Sequence, residues 1–457
     1  MKLLMIADDF TGALDTGIQF AKNGALTKLF IGSGWEEELF PESLTEVLIL
    51  DTETRHLSPE LAYETVYRIV SKAKKFAVDC IYKKTDSGLR GNIGSELEAL
   101  LDASGELFLA FLPALPEMDR VTIGGIQYAN GIPVAQSEFG YDPFEPVHSS
   151  KVRDLFRNQS VLTTEIPISE TYHIKPECPT VGIFDSYAQS HIHRIAISLR
   201  DAGYLKIAAG CSGFAAELSR VLNFRRAQRP LPQLKRKLLV LCGSVNPITK
   251  RQIEYAEKIG YDRITMSFRQ QLESGYLNSE DGIQWLNEIQ QRLEKNRVVI
   301  IDTASDDIRD AQSYRARHGI ALEKARSIVA ERLGDVLKKL ADKCCDNTWM
   351  IVGGDTLMGA VRQLQCKEII PVCEMMPGTV LSSMQTSDGK IWVITKSGGF
   401  GDPDLFEMIV NLIGITEKKE IRQEGEEVGD ISIQSTGDCT CGNEFIEENQ
   451  RSQREVS

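Results

Sequence analysis

The segment from Lys83 to Glu96, KKTDSGLRGNIGSE, brings two lysines, an arginine, an aspartate, two hydroxyl side chains near its start and three glycines close together. Upstream, Phe76–Tyr82 reads as a buried strand, and downstream Ile93, Leu97, Leu100 and Leu101 recur at helical spacing. The polar cluster therefore falls where a strand gives way to a helix, the place where open α/β sheets hold ligands. Glycines let a ligand approach the backbone, and the first turn of a helix offers unpaired N–H groups to an anion. Lysine and arginine suit a carboxylate or a phosphate. A solvated loop with a good helix cap is the ordinary alternative, but three cations beside three glycines weigh against it.

Other strand ends carry related chemistry. The apolar run Leu3–Ala7 breaks at Asp8-Asp9-Phe10-Thr11-Gly12, after which Ile18, Phe20 and Ala21 suggest a helix. Paired aspartates there suit a hydroxylated or metal-bound ligand, unless Asp9 or Thr11 merely caps the helix. Val47–Leu50 is a further strand, ending at Asp51-Thr52-Glu53-Thr54-Arg55. Arg55 at that mouth either clamps a carboxylate or pairs on the surface with Asp51 or Glu53. Leu107–Phe111 is the fourth strand, and Gly124 to Val134 reads as a hairpin. Apolar runs at Thr180–Phe184 and Lys206–Gly210 continue the alternation.

The basic, proline-bearing stretch 225–237 marks a boundary, after which the pattern restarts. Leu238–Cys242 leads into Gly243-Ser244-Val245-Asn246-Pro247, and Trp349–Val352 into Gly353-Gly354-Asp355-Thr356. Ile391–Ile394 leads into Thr395-Lys396-Ser397-Gly398-Gly399. Small-residue turns at strand ends present backbone N–H groups to phosphate oxygens. The expected fold is α/β with two domains, each built on a mainly parallel sheet flanked by helices: residues 1–230, then 237–415, then a polar tail over 416–457 expected to lack fixed structure.

At 457 residues the chain exceeds one typical core, in keeping with two domains. A formal net charge of −13 argues against nucleic acid or an anionic membrane as partner. No apolar run reaches membrane-spanning length, and the early Asp8 and Asp9 do not suit a signal peptide. Ten cysteines scattered through apolar segments, with no Cys-x-x-Cys pair, fit a reducing cytoplasm rather than a disulfide framework. Cys439 and Cys441, and His191 with His193, lack the further ligands a zinc site needs.

Cations and carboxylates in the first half suit a small polyhydroxy acid, and glycine turns in the second suit polyphosphate. Together they suggest phosphoryl transfer across a cleft, with an aspartate accepting the hydroxyl proton. There is neither a P-loop Gly-x-x-x-x-Gly-Lys-Ser/Thr nor a dinucleotide fingerprint. A sensor that retained only acid binding would be expected to lack the glycine turns of the second half.

The motifs IADDFTGA (6–13), KKTDSGLRG (83–91), GGDT (353–356) and SGGFG (397–401), in this order, resemble the four-carbon acid sugar kinase family. The likeness runs from Met1 to about Gly414. It implies an ATP-dependent, Mg2+-requiring kinase that forms the 4-phosphate of threonate, erythronate or a 3-oxo-tetronate. It assigns Asp8 or Asp9, Arg55 and the segment Lys83, Lys84, Thr85 and Asp86 to the sugar acid, with Arg90 nearby; the motifs leave the proton acceptor open, and Asp9 or Asp86 is the expectation. Ser244, Gly353, Gly354, Asp355, Thr356, Gly398 and Gly399 would meet ATP; no metal ligand is assigned. The partners it implies are a sugar acid and ATP, with a homodimer left open. The particular acid and its epimer lie beyond the motifs.

Overall fold

The protein, seen in a computed structural model, is described over residues 1–423 apart from 33, 41–42, 143–144, 169–175, 226–231, 305–307, 342–346 and 388. Most of the proline-bearing boundary's first half, and Cys439 and Cys441, lie outside the described residues. The chain divides into two compact units, Met1–Gln228 and Arg229–Ser457.

The first unit runs β1 (Leu3–Ala7), α1 (Phe10–Lys22), β2 (Thr27–Ile31), β3 (Val47–Asp51), α2 (Pro59–Ala73), β4 (Cys80–Lys84), α3 (Ile93–Ser104) and β5 (Phe108–Leu112). A small antiparallel sheet follows, of β6 (Arg120–Ile123), β7 (Ile126–Ala129) and β8 (Ile132–Pro133). Then come β9 (Leu162–Ile166), β10 (Thr180–Phe184), α4 (Gln189–Asp201), β11 (Ile207–Gly210) and α5 (Ser212–Val221). The main sheet has the order β2-β3-β1-β4-β11-β5-β10-β9, with every pairing parallel. Helices cover both faces, so β1, β3 and β5 are buried throughout and read as unbroken apolar runs rather than alternating ones.

The strand expected over Phe76–Tyr82 begins later. Turn hydrogen bonds continue past α2, from Phe76 N–H to Ala73 O and from Val78 N–H to Phe76 O, and the extended ladder starts only at Cys80. Both lysines consequently lie inside β4, with Ile6 opposite Lys83 and Ala7 opposite Lys84. Successive side chains of a strand face opposite ways, so the two ammonium groups cannot share one pocket.

The second unit runs β12 (Lys237–Cys242), α6 (Pro247–Lys258), β13 (Asp262–Thr265), α7 (Phe268–Leu272), α8 (Glu280–Lys295) and β14 (Val298–Asp302). It continues with α9 (Ile308–Arg317), α10 (Leu322–Ala341), β15 (Asn347–Val352), α11 (Gly354–Gln363), β16 (Glu368–Met376), β17 (Thr379–Thr386), β18 (Gly389–Lys396) and α12 (Leu405–Gln423). Strands β13-β14-β12-β15-β18 are parallel; β17 and β16 follow as an antiparallel extension. Leu238, Val240, Ile300 and Met350 pack with Phe406, Ile409 and Val410 of α12 in its core. That helix continues to Gln423, so regular structure outlasts the composition change at 416.

Local chemistry sets the helix starts. Asp9 accepts the Gly12 N–H and caps α1, Ser58 caps α2 ahead of Pro59, and Asn246 caps α6 ahead of Pro247. Helix α3 has no side-chain cap; the Asn92 amide instead donates to the carbonyls of Thr54 and Leu57, tying the β3 loop to the helix that follows the cation cluster. In the first turn of α3, a Cβ on Gly94 would overlap the Leu155 carbonyl. Gly94→Ala is therefore expected to destabilise the chain by about 1–3 kcal/mol, as overpacking does elsewhere. Urea unfolding measures this, and an unchanged midpoint would show that the loop carrying Leu155 yields freely.

Candidate active site

The C-terminal ends of β3, β1 and β4 lie side by side, with Asp51 and Lys84 flanking Ala7 in register. The two residues after Ala7 are the paired aspartates. Arg55 Nε donates to Asp8 Oδ2 at 2.7 Å, and Lys84 Nζ lies 3.0 Å from Asp9 Oδ1 and 3.7 Å from Asp8 Oδ1. Arg55 Nη2 is 2.8 Å from Asp9 Oδ1, yet it is out of line for a hydrogen bond. Arg55 is thus neither on the surface nor paired with Asp51 or Glu53; it is a buried clamp on both aspartates. Gly12 is needed here because a Cβ would collide with Lys84 Nζ.

This pairing settles the ionisation of the cluster. Burial pushes the Asp8 carboxyl up, but Lys84 and Arg55, with Lys83 behind them, outweigh it and hold Asp8 at about 2. Burial pulls Lys84 down, and Asp9 and Asp8 more than restore it. Asp9 gathers its contacts on Oδ1, from Gly12 N–H, Lys84 and Arg55. Among the described residues Asp9 Oδ2 takes no hydrogen bond, and its side chain is 23% exposed.

Asp86 is bound differently. Its carboxylate accepts Arg90 Nε at 2.9 Å and Arg90 Nη2 at 3.1 Å, along with the backbone N–H groups of Gly88 and Arg90. Burial opposes ionisation, but the Arg90 guanidinium holds the carboxyl far below the usual range. The third arm of Arg90 reaches Asp142 at 3.0 Å, and its face lies over Phe139. Asp86 and Arg90 thereby shape the loop, and Asp86 has little basicity left for proton transfer.

Lys83 does not join them. It is fully buried, pairs with Glu96 of α3 at 3.0 Å and donates to the Lys84 carbonyl. Thr85 is buried too, its backbone N–H held by Gly210 O. Of the residues expected at the sugar acid, Asp8, Asp9, Arg55 and Lys84 converge, Asp86 and Arg90 form the neighbouring wall, and Lys83 and Thr85 lie beneath.

In the second unit the expected residues also meet. A Cβ on Gly353 would lie 3.5 Å from Ser244 N and 3.3 Å from Thr356 Oγ1, and one on Gly398 would lie 2.5 Å from Ser244 Oγ. The turns after β12, β15 and β18 thus touch, as their adjacency in the sheet requires. Gly353 has φ of 107°, a conformation glycine tolerates, and α11 starts there with no side-chain cap. Gly399 approaches Asn246, and exposed Asp355 pairs with Arg326 at 2.8 Å.

Three residues escaped sequence reasoning. Asp51 closes an apolar run and so passed for a strand terminus, yet its Oδ2 is buried without a hydrogen bond. Burial, reinforced by the charges of Glu53 and Asp9, raises it to about 8. Arg120, at the start of β6, lies over Phe139 with no carboxylate partner among the described residues. Its charge and that of Lys84 both act on the Cys211 thiol. Lys396 ends β18, buried beneath the Ser397–Gly399 turn. No local motif marks any of the three.

Among the described residues no helix is long and apolar enough to cross a membrane, and no group of three or more His, Cys, Asp or Glu could hold a metal ion. Residues 3–218 match the family model described as a sugar-binding N-terminal domain, and residues 239–406 the one described as a nucleotide-binding C-terminal domain. The chain is 26% identical to a D-threonate kinase of Salmonella typhimurium, covering 88% of this chain and 96% of that one. It is 25% identical to a D-erythronate kinase of Heliobacterium modesticaldum (88% and 94% covered) and 24% identical to a 3-oxo-tetronate kinase of Pseudomonas fluorescens (88% and 94%). In fold it is similar to a crystal structure of a Haemophilus influenzae protein, with a TM-score of 0.68 at 21% identity, covering 90% of this chain and 100% of that one.

Two stability tests follow. Glu96→Gln strands the Lys83 ammonium and should cost about 3–5 kcal/mol, whereas Lys83→Met with Glu96→Leu should recover most of it; thermal melts that rank the double variant below the single would contradict this. For Asp51 the folded pKa lies above the unfolded one. Its protonated form therefore contributes stability that is complete below about pH 4 and lost as pH rises through about 8. Asp51→Asn should thus gain on the parent as pH rises from 5 to 8, and a pH-independent difference in urea midpoints would refute the assignment.

Proposed function

Because the chain belongs to the four-carbon acid sugar kinase family and is a phosphotransferase acting on a hydroxyl group, we propose that it moves the γ-phosphoryl of ATP to the terminal 4-hydroxyl of threonate, erythronate or a 3-oxo-tetronate. The products are ADP and the sugar acid 4-phosphate. The observation that carries the reading is the meeting of the Ser244, Gly353–Thr356 and Gly398 turns at adjacent strand ends. Such an array of backbone N–H groups suits the phosphates of a nucleotide.

On the acid side, the Arg120 guanidinium, which has no carboxylate partner among the described residues, takes the substrate carboxylate. Asp8, Arg55 and Lys84 fix the pocket wall. Asp9 accepts the proton of the attacking hydroxyl through Oδ2, the oxygen its cation partners leave open. The bidentate bond from Arg90 to Asp86 supports Asp9 over Asp86 in that role. Magnesium on a nucleotide is typically held by one or two carboxylates with phosphate and water oxygens making up the rest. Asp355, exposed in the first turn of α11 beside the glycine turn, fits that requirement. The ion would offset charge on the phosphate oxygens.

The test is ATP consumption with Mg2+ against D- and L-threonate, D- and L-erythronate, 3-oxo-tetronates and glycerate. Turnover of a four-carbon acid to its 4-phosphate is expected. Preference for glycerate would shift the reading to another small hydroxy acid, and silence without ATP binding to an acid-sugar sensor. With the preferred acid, Asp9→Asn should keep the α1 cap and lower kcat by about 10^2–10^4. An Asp86→Asn variant losing kcat alone, with Asp9→Asn unaffected, would reverse the two roles.

A further inference from the structure

Lys396 differs from the buried cations of the first unit. Lys83, Lys84, Arg55 and Arg90 each face a carboxylate. The side chain of Lys396 is almost fully buried, yet its ammonium faces only neutral oxygens: Ser397 O at 2.9 Å, Gly398 O at 3.4 Å and Thr249 Oγ1 at 3.4 Å. Among the described residues no carboxylate pairs with it. A charge left in a low-dielectric setting without its opposite is costly and persists where something supplies the opposite charge.

The direction of those carbonyls matters. All described peptide bonds are trans, so the N–H of each peptide unit points away from its C=O. With Ser397 O and Gly398 O turned inward to Lys396, the N–H groups of Gly398 and Gly399 are turned outward. Among the described residues neither meets an acceptor. Thr249 Oγ1 reinforces the arrangement by donating to Gly398 O at 2.8 Å. The turn that carries them adjoins Ser244, which a Cβ on Gly398 would approach to 2.5 Å, and Ser244 in turn adjoins Gly353.

We infer that Lys396 is the positioning residue of the nucleotide site, turning the Gly398 and Gly399 N–H groups toward a phosphate group and supplying the positive charge that the bound phosphate balances. The inference rests on the nucleotide-binding reading and deepens it. The surroundings support it. The Cys242 thiol of β12, pushed up to about 12 by burial, stays protonated and offers no counter-charge. From α6 come the neutral Thr249 and Gln252, and β17 pairs Thr379 with Lys396. Asp302 at the end of β14 is held by Arg263. Burial accordingly lowers the Lys396 ammonium to about 8. A bound phosphate restores it, so nucleotide binding above neutrality must draw a proton from solution.

Isothermal titration of ATP and Mg2+ into the full chain, in buffers of differing ionisation enthalpy at about pH 8.5, reads that proton directly. The unmodified protein should take up a fraction of a proton per nucleotide bound. Its affinity should fall as pH rises from 8 to 9. Lys396→Met should bind ATP at least tenfold more weakly, without proton uptake and without that pH dependence, while the KM for the acid stays within twofold. ATP binding by Lys396→Met as tight as by the unmodified protein would overturn the role of Lys396 and leave the kinase reading standing. No nucleotide binding by the unmodified protein would remove both.

Discussion

Charge buried at the end of a sheet survives only when it meets its opposite. In the first unit Asp8, Asp9 and Asp86 lie at or just beyond the ends of adjacent parallel strands, where burial penalises the charges of Asp8 and Asp86. Arg55, Lys84 and Arg90 answer them within hydrogen-bonding range. Removing one partner would leave its mate as an uncompensated buried charge, which costs far more than the pair contributes. This constraint explains the compactness of the cluster. It also explains Gly12, whose missing side chain lets Lys84 reach the aspartates.

Such mutual pairing leaves few groups for a ligand, and those few are informative. Asp9 keeps one carboxylate oxygen open, and Arg120 is a cation stacked on Phe139. The second unit is built for its proposed ligand in another way. Its strand-end turns are rich in glycine, so backbone N–H groups rather than side-chain charges line the proposed phosphate position; the buried cation Lys396 sits behind the turn. An acid with hydroxyl groups needs directional, charged recognition, while a polyphosphate is well served by an array of N–H donors.

Much of this was legible before the structure. The doubly wound pattern followed from apolar runs ending in polar turns, and Asp8, Asp9, Arg55 and Lys84 declared themselves as polar residues at strand ends. Their partners did not, because the Arg55–Asp8 bond joins segments far apart in sequence and depends on the order in which strands pair. Lys83 parts from Lys84 for a simple reason. Adjacent lysines in a run look equivalent until the ladder is known to extend through them, whereupon alternation sends one to Glu96 and the other to Asp9. Arg120 and Lys396 carry no motif; only packing shows that one has no carboxylate partner among the described residues and that the other faces carbonyls.

In the proposed reading the first unit's charge network is a wall, and Asp9 and Arg120 are the groups it leaves for substrate. A crystal structure with a non-hydrolysable ATP analogue and the preferred acid tests this most directly. The account predicts the acid's carboxylate on the Arg120 guanidinium and its terminal hydroxyl within hydrogen-bonding distance of Asp9 Oδ2, with the Arg90–Asp86 pair intact. An acid whose terminal hydroxyl lies against Asp86, or whose binding opens the Arg90–Asp86 pair, would contradict it.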